Sequence, residues 1–368
     1  RPIVVSKETC AERSPRTSTL RRIADGECCT PRIIHGVHHR NHDAQGVISR
    51  QLPLPPNVTV FSSRTAQTVR IDELTVAIHG RSFPERAVEE DLVPSYPAPV
   101  PGFFNIAMLH TSLNGRVLHD TYAPTDLATL AAKGYDYWAL GHIHAREVVS
   151  ETPRIVFPGN LQGRHANETG PKGCELISVE AGSIEAEFIP LDVVRWHKLE
   201  VALDGIERLE VLGDAFRETL EPLLIGATDR LHAVRVTLTG STALHAAEAN
   251  RPGTLDAAIR AAAQDLGDVE VWIEQVRLDL ATPLDRALAL QRQDAVGELI
   301  RLVEAIGADE MALGNLAQTE LGNLLGALPS EVADGEVPDL TSTPDLLSLL
   351  RDAEATVLAR LAAAGGEA

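Results

Sequence analysis

The sequence predicts a mixed α/β protein, and its middle part carries the observations behind this prediction. Residues 103–110 and 137–140 are continuous apolar runs of the length of a buried strand. Residues 127–133 between them have helical character, with Asp126 placed as an N-cap and Gly134 as a C-terminal stop. An apolar strand, a helix and a second apolar strand in this order favour an α/β fold.

Shorter strand patterns flank this part of the chain on both sides. The predicted strands are 68–69, 74–79, 154–157, 174–179 and 184–189. Residues 180–183, with the sequence Glu-Ala-Gly-Ser, join the last two strands as a hairpin. We therefore expect further sheet on either side of the central strands.

The chain divides into four predicted parts. Residues 1–40 are atypical, since they carry eight Lys or Arg against four Asp or Glu and show only short apolar pieces. Residues 41–195 form the main α/β domain. Residues 196–282 alternate strand and helix in the manner of a small α/β sandwich, and residues 283–368 show apolar residues at helical spacing. We interpret the first part as a damaged or substituted beginning.

Composition excludes several classes of protein. The 368 residues are 44% hydrophobic and 23% charged, which excludes collagen, a disordered chain and a small disulfide scaffold. The four cysteines lack the Cys-x-x-Cys spacing of zinc ribbons, and nothing in their arrangement indicates an oxidising compartment. No apolar run approaches the roughly 18 residues of a membrane helix, and no secretory signal is recognisable. We expect a cytoplasmic protein with no membrane segment.

The formal net charge of −19 also constrains the partners of this protein. Such a surface repels polyanions, so contacts to nucleic acid would depend on local Lys and Arg side chains. The same charge attracts divalent cations.

Histidines occur where the predicted strands end. His110 closes the first apolar run, and His142 and His144 follow the second within the sequence Gly-His-Ile-His. A further motif, Asn-His-Asp at residues 41–43, opens the regular part of the chain. Strand ends face the loops where α/β folds place their chemistry, and histidine and asparagine offer nitrogen and oxygen ligands to metal ions. Side chains two residues apart on an extended segment point the same way, so His142 and His144 could serve neighbouring ions.

Each of these motifs has a simpler explanation when it is taken alone. A single histidine such as His110 is more often a hydrogen-bonded structural residue than a ligand. Asn-His-Asp is typical of an Asx-turn. Gly-His-Ile-His is short enough to arise by chance. Their occurrence together, each at the end of a predicted strand, favours a metal site.

These residues resemble the calcineurin-like metallophosphoesterases, and among them the DNA-repair exonucleases of the SbcD type. The resemblance covers about residues 41–280. It is carried by residues 41–45 (NHDAQ), 50–58 (RQLPLPPNV), 109–113 (LHTSL), 138–144 (WALGHIH) and 157–164 (FPGNLQGR). It implies a metallophosphoesterase-type β-sandwich flanked by helices, then a small α/β capping domain and a helical C-terminus.

The resemblance also implies a set of metal ligands. Asn41, His110 and His142 would bind one divalent ion, and His144 would bind a second. Two divalent ions are expected for the family, and this mixture of nitrogen and oxygen ligands suits Mn²⁺ best. His42 would stand over the scissile phosphate as an acid or charge stabiliser.

In the same resemblance Asp43 would not bind metal but would orient the loop or one of the histidines.

This sequence departs from the family pattern at the beginning of the chain, because the family supplies carboxylates there through Asp-x-His and Gly-Asp. Residues 1–40 contain neither pattern, and their one aspartate, Asp25, precedes a glycine rather than following it. Arg40 replaces the glycine expected before Asn-His-Asp. One of the two metal sites is therefore expected to be incomplete, with activity impaired.

The function implied is two-metal hydrolysis of phosphodiester bonds at DNA ends, as in a DNA-repair exonuclease. Its partners would be DNA ends and a coiled-coil ABC-type ATPase subunit, with a homodimer as the assembly. Two alternatives stay open from the sequence. One is a phosphoesterase acting on a small nucleotide or a phosphoprotein, and the other is a non-catalytic scaffold with a degenerate metal site.

Overall fold

The computed structural model describes residues 2–5, 59–83, 88–113, 123–180, 182–267, 269–325 and 342–365. Its contacts divide the chain into two compact units, residues 1–196 and 197–368. No helix in the described ranges combines the length and the apolar character needed to cross a membrane.

The first unit consists mainly of strands. They are β1 (Pro2–Val5), β2 (Gln67–Ile71), β3 (Val76–Gly80), β4 (Phe104–His110), β5 (Tyr137–Gly141), β6 (Glu147–Glu151), β7 (Arg154–Phe157), β8 (Gly173–Glu180) and β9 (Ser183–Pro190). Helix α1 (Leu127–Ala132) connects β4 to β5. Short 3₁₀ turns lie at Asp72–Leu74 and Val93–Ser95.

Two sheets make up this unit. The larger one has six strands in the order β2-β3-β4-β5-β7-β6, with parallel pairing from β3 through β7 and antiparallel pairing at both edges. The smaller sheet has the order β1-β8-β9 and is antiparallel. Its strand β1 lies within the atypical segment 1–40, so this short piece of the segment belongs to the sheet.

The central strands are buried on both faces, which is why their sequences are continuously apolar. Leu109 and Trp138 face the side of the sheet that also holds Leu130 of α1. Ile106 and Tyr137, on the opposite face, belong to the core that includes Ile177 of β8. The mixed α/β class predicted from the sequence is confirmed. Helix α1 and strand β8 lie on opposite faces of the larger sheet.

Local signals account for α1. The Asp126 side chain accepts a hydrogen bond from the Thr129 backbone N–H at 2.7 Å, as expected of an N-cap. Gly134 has a φ of +80°, a conformation that residues with a side chain rarely adopt. The helix therefore begins and ends close to where the sequence predicts.

The second unit begins with an α/β layer and continues into helices. Its elements are β10 (Val194–Ala202), α2 (Leu209–Leu224), β11 (Leu231–Ser241), α3 (Leu244–Asn250), α4 (Thr254–Gln264), β12 (Val271–Ala281), α5 (Arg286–Leu290), α6 (Ala295–Gly307), α7 (Glu310–Leu325) and α8 (Thr343–Gly365). The strands form a sheet of order β10-β11-β12, in which β11 and β12 are parallel. Phe216 of α2 and Ile259 of α4 pack with Val236 of β11 in one core.

The C-terminal helices are joined by charged side chains. Arg286 of α5 binds Glu354 of α8 at 3.0 Å and Glu304 of α6 at 3.1 Å. Glu354 is buried, so its pairing with Arg286 satisfies a charge that would otherwise be costly to remove from water. The helical character predicted for residues 283–368 is present in the described part of that range.

Candidate metal centre

The ends of β4 and β5 lie side by side, and they bring His110 next to the loop that carries His142 and His144. His110 is the register partner of Gly141 across the two parallel strands. The Thr111 backbone N–H donates to the Gly141 carbonyl at 3.2 Å, which extends the strand pairing one step further. Because both strands run in the same direction, their carboxyl ends meet at one edge of the sheet.

His142 has an unusual backbone conformation for a residue with a side chain. Its φ is 103°, in the region that favours glycine. Such a conformation costs on the order of 1–3 kcal/mol and persists only where the surroundings enforce it. The His142 ring lies edge-to-face with the His110 ring, with 5.2 Å between the ring centroids and 81° between the planes. The strained backbone thus holds two imidazoles next to each other.

Gly141 explains how close these two histidines can come. A Cβ atom at this position would lie 2.8 Å from His110 Nδ1, closer than such atoms approach in real structures. Any side chain there would push the His110 ring aside. On its other side His110 packs edge-to-face against Phe83, with 5.3 Å between the centroids. Gly141 therefore has a packing role in placing the His110 ring.

His144 is held by a buried carboxylate. Its Nδ1 lies 2.5 Å from Oε1 of Glu168, whose side chain is 7% exposed. Glu168 Oε2 accepts from Asn160 Nδ2 and from the Arg164 backbone N–H, each at 2.9 Å. Burial by itself raises the pKa of the Glu168 carboxyl, but the hydrogen bonds from His144, Arg164 and Asn160 outweigh it and lower the pKa to about 2. Glu168 is ionised at neutral pH.

The loop behind His144 is fixed through its backbone. The His144 carbonyl accepts from the Asn160 backbone N–H at 3.3 Å and from Lys172 Nζ at 3.5 Å. Gly159 has a φ of +76°, and a Cβ there would lie 3.0 Å from both the His144 oxygen and the Arg146 nitrogen. The close packing of the two loops and the positive φ both favour glycine at this contact.

A second buried carboxylate anchors the far end of the same loop. Glu175 of β8 is fully buried and binds Arg146 at 2.6 Å and Arg154 at 3.3 Å. The Tyr137 hydroxyl donates to the other Glu175 oxygen at 3.2 Å. Removing one member of such a group would leave a buried charge uncompensated. Glu175 therefore ties the loop after β5 to the smaller sheet.

The structure thus places three of the predicted site residues. His110 and His142 are adjacent, and His144 follows on the same loop. Asn41, His42 and Asp43 lie outside the described residues, as do Asp25 and Arg40. Within the described ranges, no three His, Cys, Asp or Glu side chains converge closely enough to hold a metal ion. The ligand roles and the role of His42 stay predictions.

Sequence reasoning did not identify Glu168 or Glu175. Glu168 lies in a loop that contains no predicted metal ligand. Glu175 lies in a predicted strand, where it looks like an ordinary polar residue. The one available signal was their position: both follow the 157–164 stretch in which the resemblance was recognised. Each becomes informative only when the fold brings it to a residue of the histidine loop.

Comparison with known proteins indicates the class of protein. Residues 196–281 match the family model described as the middle domain of metallophosphoesterase YhaO. These residues contain most of β10, strands β11 and β12, and helices α2, α3 and α4. The match supports the metallophosphoesterase family for this chain.

The chain is also similar to a particular curated protein. The chain is 34% identical over 243 residues to an uncharacterized metallophosphoesterase YhaO of Bacillus subtilis (strain 168). The alignment covers 65% of this chain and 59% of the relative, so the chain spans less than two thirds of that protein's length. The SbcD-type branch indicated by the motifs is a finer assignment than these matches support.

The family implies divalent metal ions, and the described side chains fit part of such a centre. Imidazole nitrogens are good ligands for manganese, iron and zinc. A histidine whose second nitrogen is bound to a carboxylate, as His144 is to Glu168, is the usual arrangement behind a metal-binding imidazole. The close approach of His110 and His142 fits a shared ion. Asn41, the predicted oxygen ligand of that ion, lies outside the described residues.

Proposed function

We propose that this chain is a metal-dependent phosphodiesterase that hydrolyses DNA ends, as a DNA-repair exonuclease does. The observation that carries the proposal is the meeting of His110 and His142 at the carboxyl ends of two parallel strands, with His144 anchored on the same loop. The similarity to metallophosphoesterases supports the reaction class. The DNA substrate rests on the motif resemblance in the first unit.

In this proposal the histidines hold the ions, and the loop architecture keeps them in place. Asn41, His110 and His142 bind one ion and His144 binds the other. His42 stands near the scissile phosphate, where it stabilises charge or donates a proton to the leaving oxygen. Divalent ions, when bound, supply Lewis-acid activation of the phosphate and acidify water. We propose Mn²⁺ as the metal.

The proposed partners follow from the same resemblance. They are DNA ends, a coiled-coil ABC-type ATPase subunit and a second copy of the chain as a homodimer. Because the net charge is −19, contact with DNA would depend on local basic side chains and weaken steeply with salt.

The first experiment separates metal ligands from the group that acts on the phosphate. We expect His142→Ala to lose Mn²⁺ on desalting, whereas His42→Ala should retain it and lose turnover. Metal is measured by elemental analysis, and turnover with end-labelled blunt and single-stranded DNA and with bis(p-nitrophenyl) phosphate. Equal metal loss in the two variants would contradict the assigned roles.

The choice of substrates decides between the proposed function and its rivals. Cleavage of bis(p-nitrophenyl) phosphate with every DNA end intact would indicate a phosphoesterase for small substrates. A chain that neither binds divalent metal nor cleaves any of the three substrates would be a scaffold.

A second variant tests the missing carboxylates. Replacing residues 1–40 with a start that carries Asp-x-His and Gly-Asp, together with Arg40→Gly, should raise the manganese content from at most one ion per chain to two. The rate of DNA cleavage should rise by several powers of ten, because positioning and water activation are both recovered. Two bound ions without DNA cleavage would contradict the nuclease assignment.

A further inference from the structure

We propose that Glu168 is a positioning residue that keeps the proton of His144 on Nδ1, so that the lone pair of the ring lies on Nε2 and can bind a metal ion. The metal ion in this statement rests on the proposed function, whereas the control of the tautomer does not. No ligand role is assigned to Glu168 itself.

The hydrogen bonds around Glu168 determine the tautomer. Its Oε2 accepts from Asn160 Nδ2 and from the Arg164 backbone N–H, each at 2.9 Å, so Oε1 is the atom that faces His144 Nδ1 at 2.5 Å. A carboxylate has no hydrogen to donate, and the bond to Oε1 therefore requires a proton on Nδ1. In the neutral ring the other nitrogen, Nε2, then carries the lone pair.

Arg164 approaches the same two atoms and does not reverse this assignment. Its guanidinium nitrogen lies 3.4 Å from His144 Nδ1 and 3.5 Å from Glu168 Oε1. A guanidinium can only donate, and the Nδ1 atom is already the donor of the much shorter bond. The Arg164 side chain therefore interacts with Oε1 and adds positive charge beside an ionised carboxylate.

The loop that carries Glu168 is built to keep this carboxylate in place. The Glu168 backbone N–H donates to the His165 carbonyl at 2.9 Å. A Cβ at Gly163 would lie 2.7 Å from the Glu168 carbonyl oxygen, so the loop closes tightly on itself. Trp196 Nε1 holds the Gly163 carbonyl at 2.9 Å. The side chain has little freedom to turn away from His144.

This geometry makes Glu168→Gln a sharp test, although the two side chains have the same shape. The two donors at the Oε2 position, Asn160 Nδ2 and the Arg164 N–H, require the amide oxygen there. The amide NH₂ must then face His144 Nδ1 and donate to it. His144 is forced to carry its proton on Nε2, and the lone pair used for a metal moves to Nδ1.

The tautomer is measured by long-range ¹H–¹⁵N correlation on metal-free protein labelled with ¹⁵N-histidine, with His144→Gln used to assign the signals. We expect Nδ1–H in the wild type, Nε2–H in Glu168→Gln, and Nδ1–H in Glu185→Gln. Glu185 is an exposed residue of β9 and matches the lost charge. A wild-type ring protonated on Nε2, or an unchanged tautomer in a folded Glu168→Gln, would overturn the inference.

A Zn²⁺ titration followed at the His144 ring nitrogens connects the tautomer to metal binding, and it uses the chain with the restored start because the unaltered chain leaves the His144 site incomplete. We expect Glu168→Gln to need about 10- to 100-fold more Zn²⁺ for the same shift, the usual cost of losing a partner behind a ligand. If the tautomer changes while the titration does not, Glu168 still sets the tautomer, but His144 is not a metal ligand and the proposed site is wrong.

Discussion

The two units each bring a pair of histidines together, and the pairs differ in their ring geometry and in their place in the fold. In the first unit the His110 and His142 rings meet edge-to-face with their centroids 5.2 Å apart. In the second unit the His197 and His232 rings are stacked with their centroids 5.1 Å apart. His197 Nε2 lies 2.9 Å from His232 Nδ1, and His232 Nε2 lies 2.9 Å from the Ala227 carbonyl.

This comparison shows that distance alone does not identify a metal site. Both nitrogens of His232 take part in hydrogen bonds inside the core, so that pair holds the fold together. His110 and His142 instead stand at the ends of parallel strands, beside a backbone conformation that costs free energy. We therefore expect changes to the first pair to alter chemistry and changes to the second to alter stability.

The largest effect should come from His110→Leu, which fills the same space beside Phe83 without a nitrogen ligand. In the chain with the restored start, where both metal sites are complete, we expect phosphodiester hydrolysis to fall on the order of 10³-fold, which corresponds to about 4 kcal/mol of lost transition-state stabilisation. His197→Leu serves as the matched change in the other pair and should leave hydrolysis per folded molecule unchanged. A similar loss of activity in both variants would contradict the assignment of the first pair to chemistry and of the second pair to stability.

His232→Ala should produce the next largest effect, and it should be an effect on stability. The substitution leaves a cavity, removes the acceptor for His197 Nε2 and removes the donor to the Ala227 carbonyl. We expect the free energy of unfolding of the second unit to fall by about 2–4 kcal/mol, measured by urea unfolding. Mn²⁺ content should not change. A loss below 1 kcal/mol would mean that the pair does not stabilise the fold as described.

The strained backbone at His142 can be measured by comparing two substitutions. Both His142→Gly and His142→Ala remove the imidazole, but only glycine adopts a φ of 103° without steric cost. We expect the glycine variant to be more stable than the alanine variant by about 1 kcal/mol in the same unfolding experiment. A glycine variant less stable than the alanine variant would show that the conformation stores no strain, because the larger entropy of glycine in the unfolded chain would then be the main difference between them.

A pH-dependent effect on stability concerns His79, a buried histidine of the first unit that is hydrogen-bonded inside the core, as the pair in the second unit is. It is fully buried, stacks on Tyr135 and is hydrogen-bonded to Thr68 and Asn105. Burial lowers the pKa of His79 below its usual 6.5, although the bond to Asn105 acts in the opposite direction. The unfolded chain therefore binds a proton more readily than the folded one, and stability falls as the pH drops below about 6.5.

His79→Phe, which can still stack on Tyr135, removes this dependence. The wild type should lose up to about 1.4 kcal/mol more per pH unit than the variant as the pH falls below about 6.5. Unfolding midpoints measured from pH 7.5 downwards test this. Parallel curves for the two proteins would show that His79 does not titrate with folding. A confirmed difference would show that the first unit contains a structural histidine as well as the predicted metal-site histidines.

The sequence was most informative where one residue determines a local structure. Asp126 and Gly134 predicted the ends of α1, and residues 154–157 were predicted as the strand that β7 forms. Strand β6 (Glu147–Glu151) was not predicted, because its half-buried residues at a sheet edge produce no clear apolar alternation. Helix α3 was missed as well.

Contacts between distant segments could not be predicted in the same way. The Gly-His-Ile-His motif predicted a site at the end of β5, but neither the positive φ of His142 nor the carboxylate behind His144 follows from local sequence. His197 and His232 lie on different strands, and nothing near either one indicates the other. Such pairs depend on strand register, which forms only when the whole sheet is assembled.

The parallel pairing of β4 with β5 has a consequence for synthesis of the protein. Parallel neighbours cannot be joined by a tight turn, and here the chain has to pass through α1 before β5 can lie beside β4. On the ribosome, His110 emerges well before His142 and does not meet that second imidazole until β5 has left the exit tunnel and docked. The two rings therefore meet through the pairing of β5 with β4, whereas in a small zinc finger the bound metal itself drives folding. Metal uptake by the pair would instead mark a nascent chain in which β5 is already docked on β4.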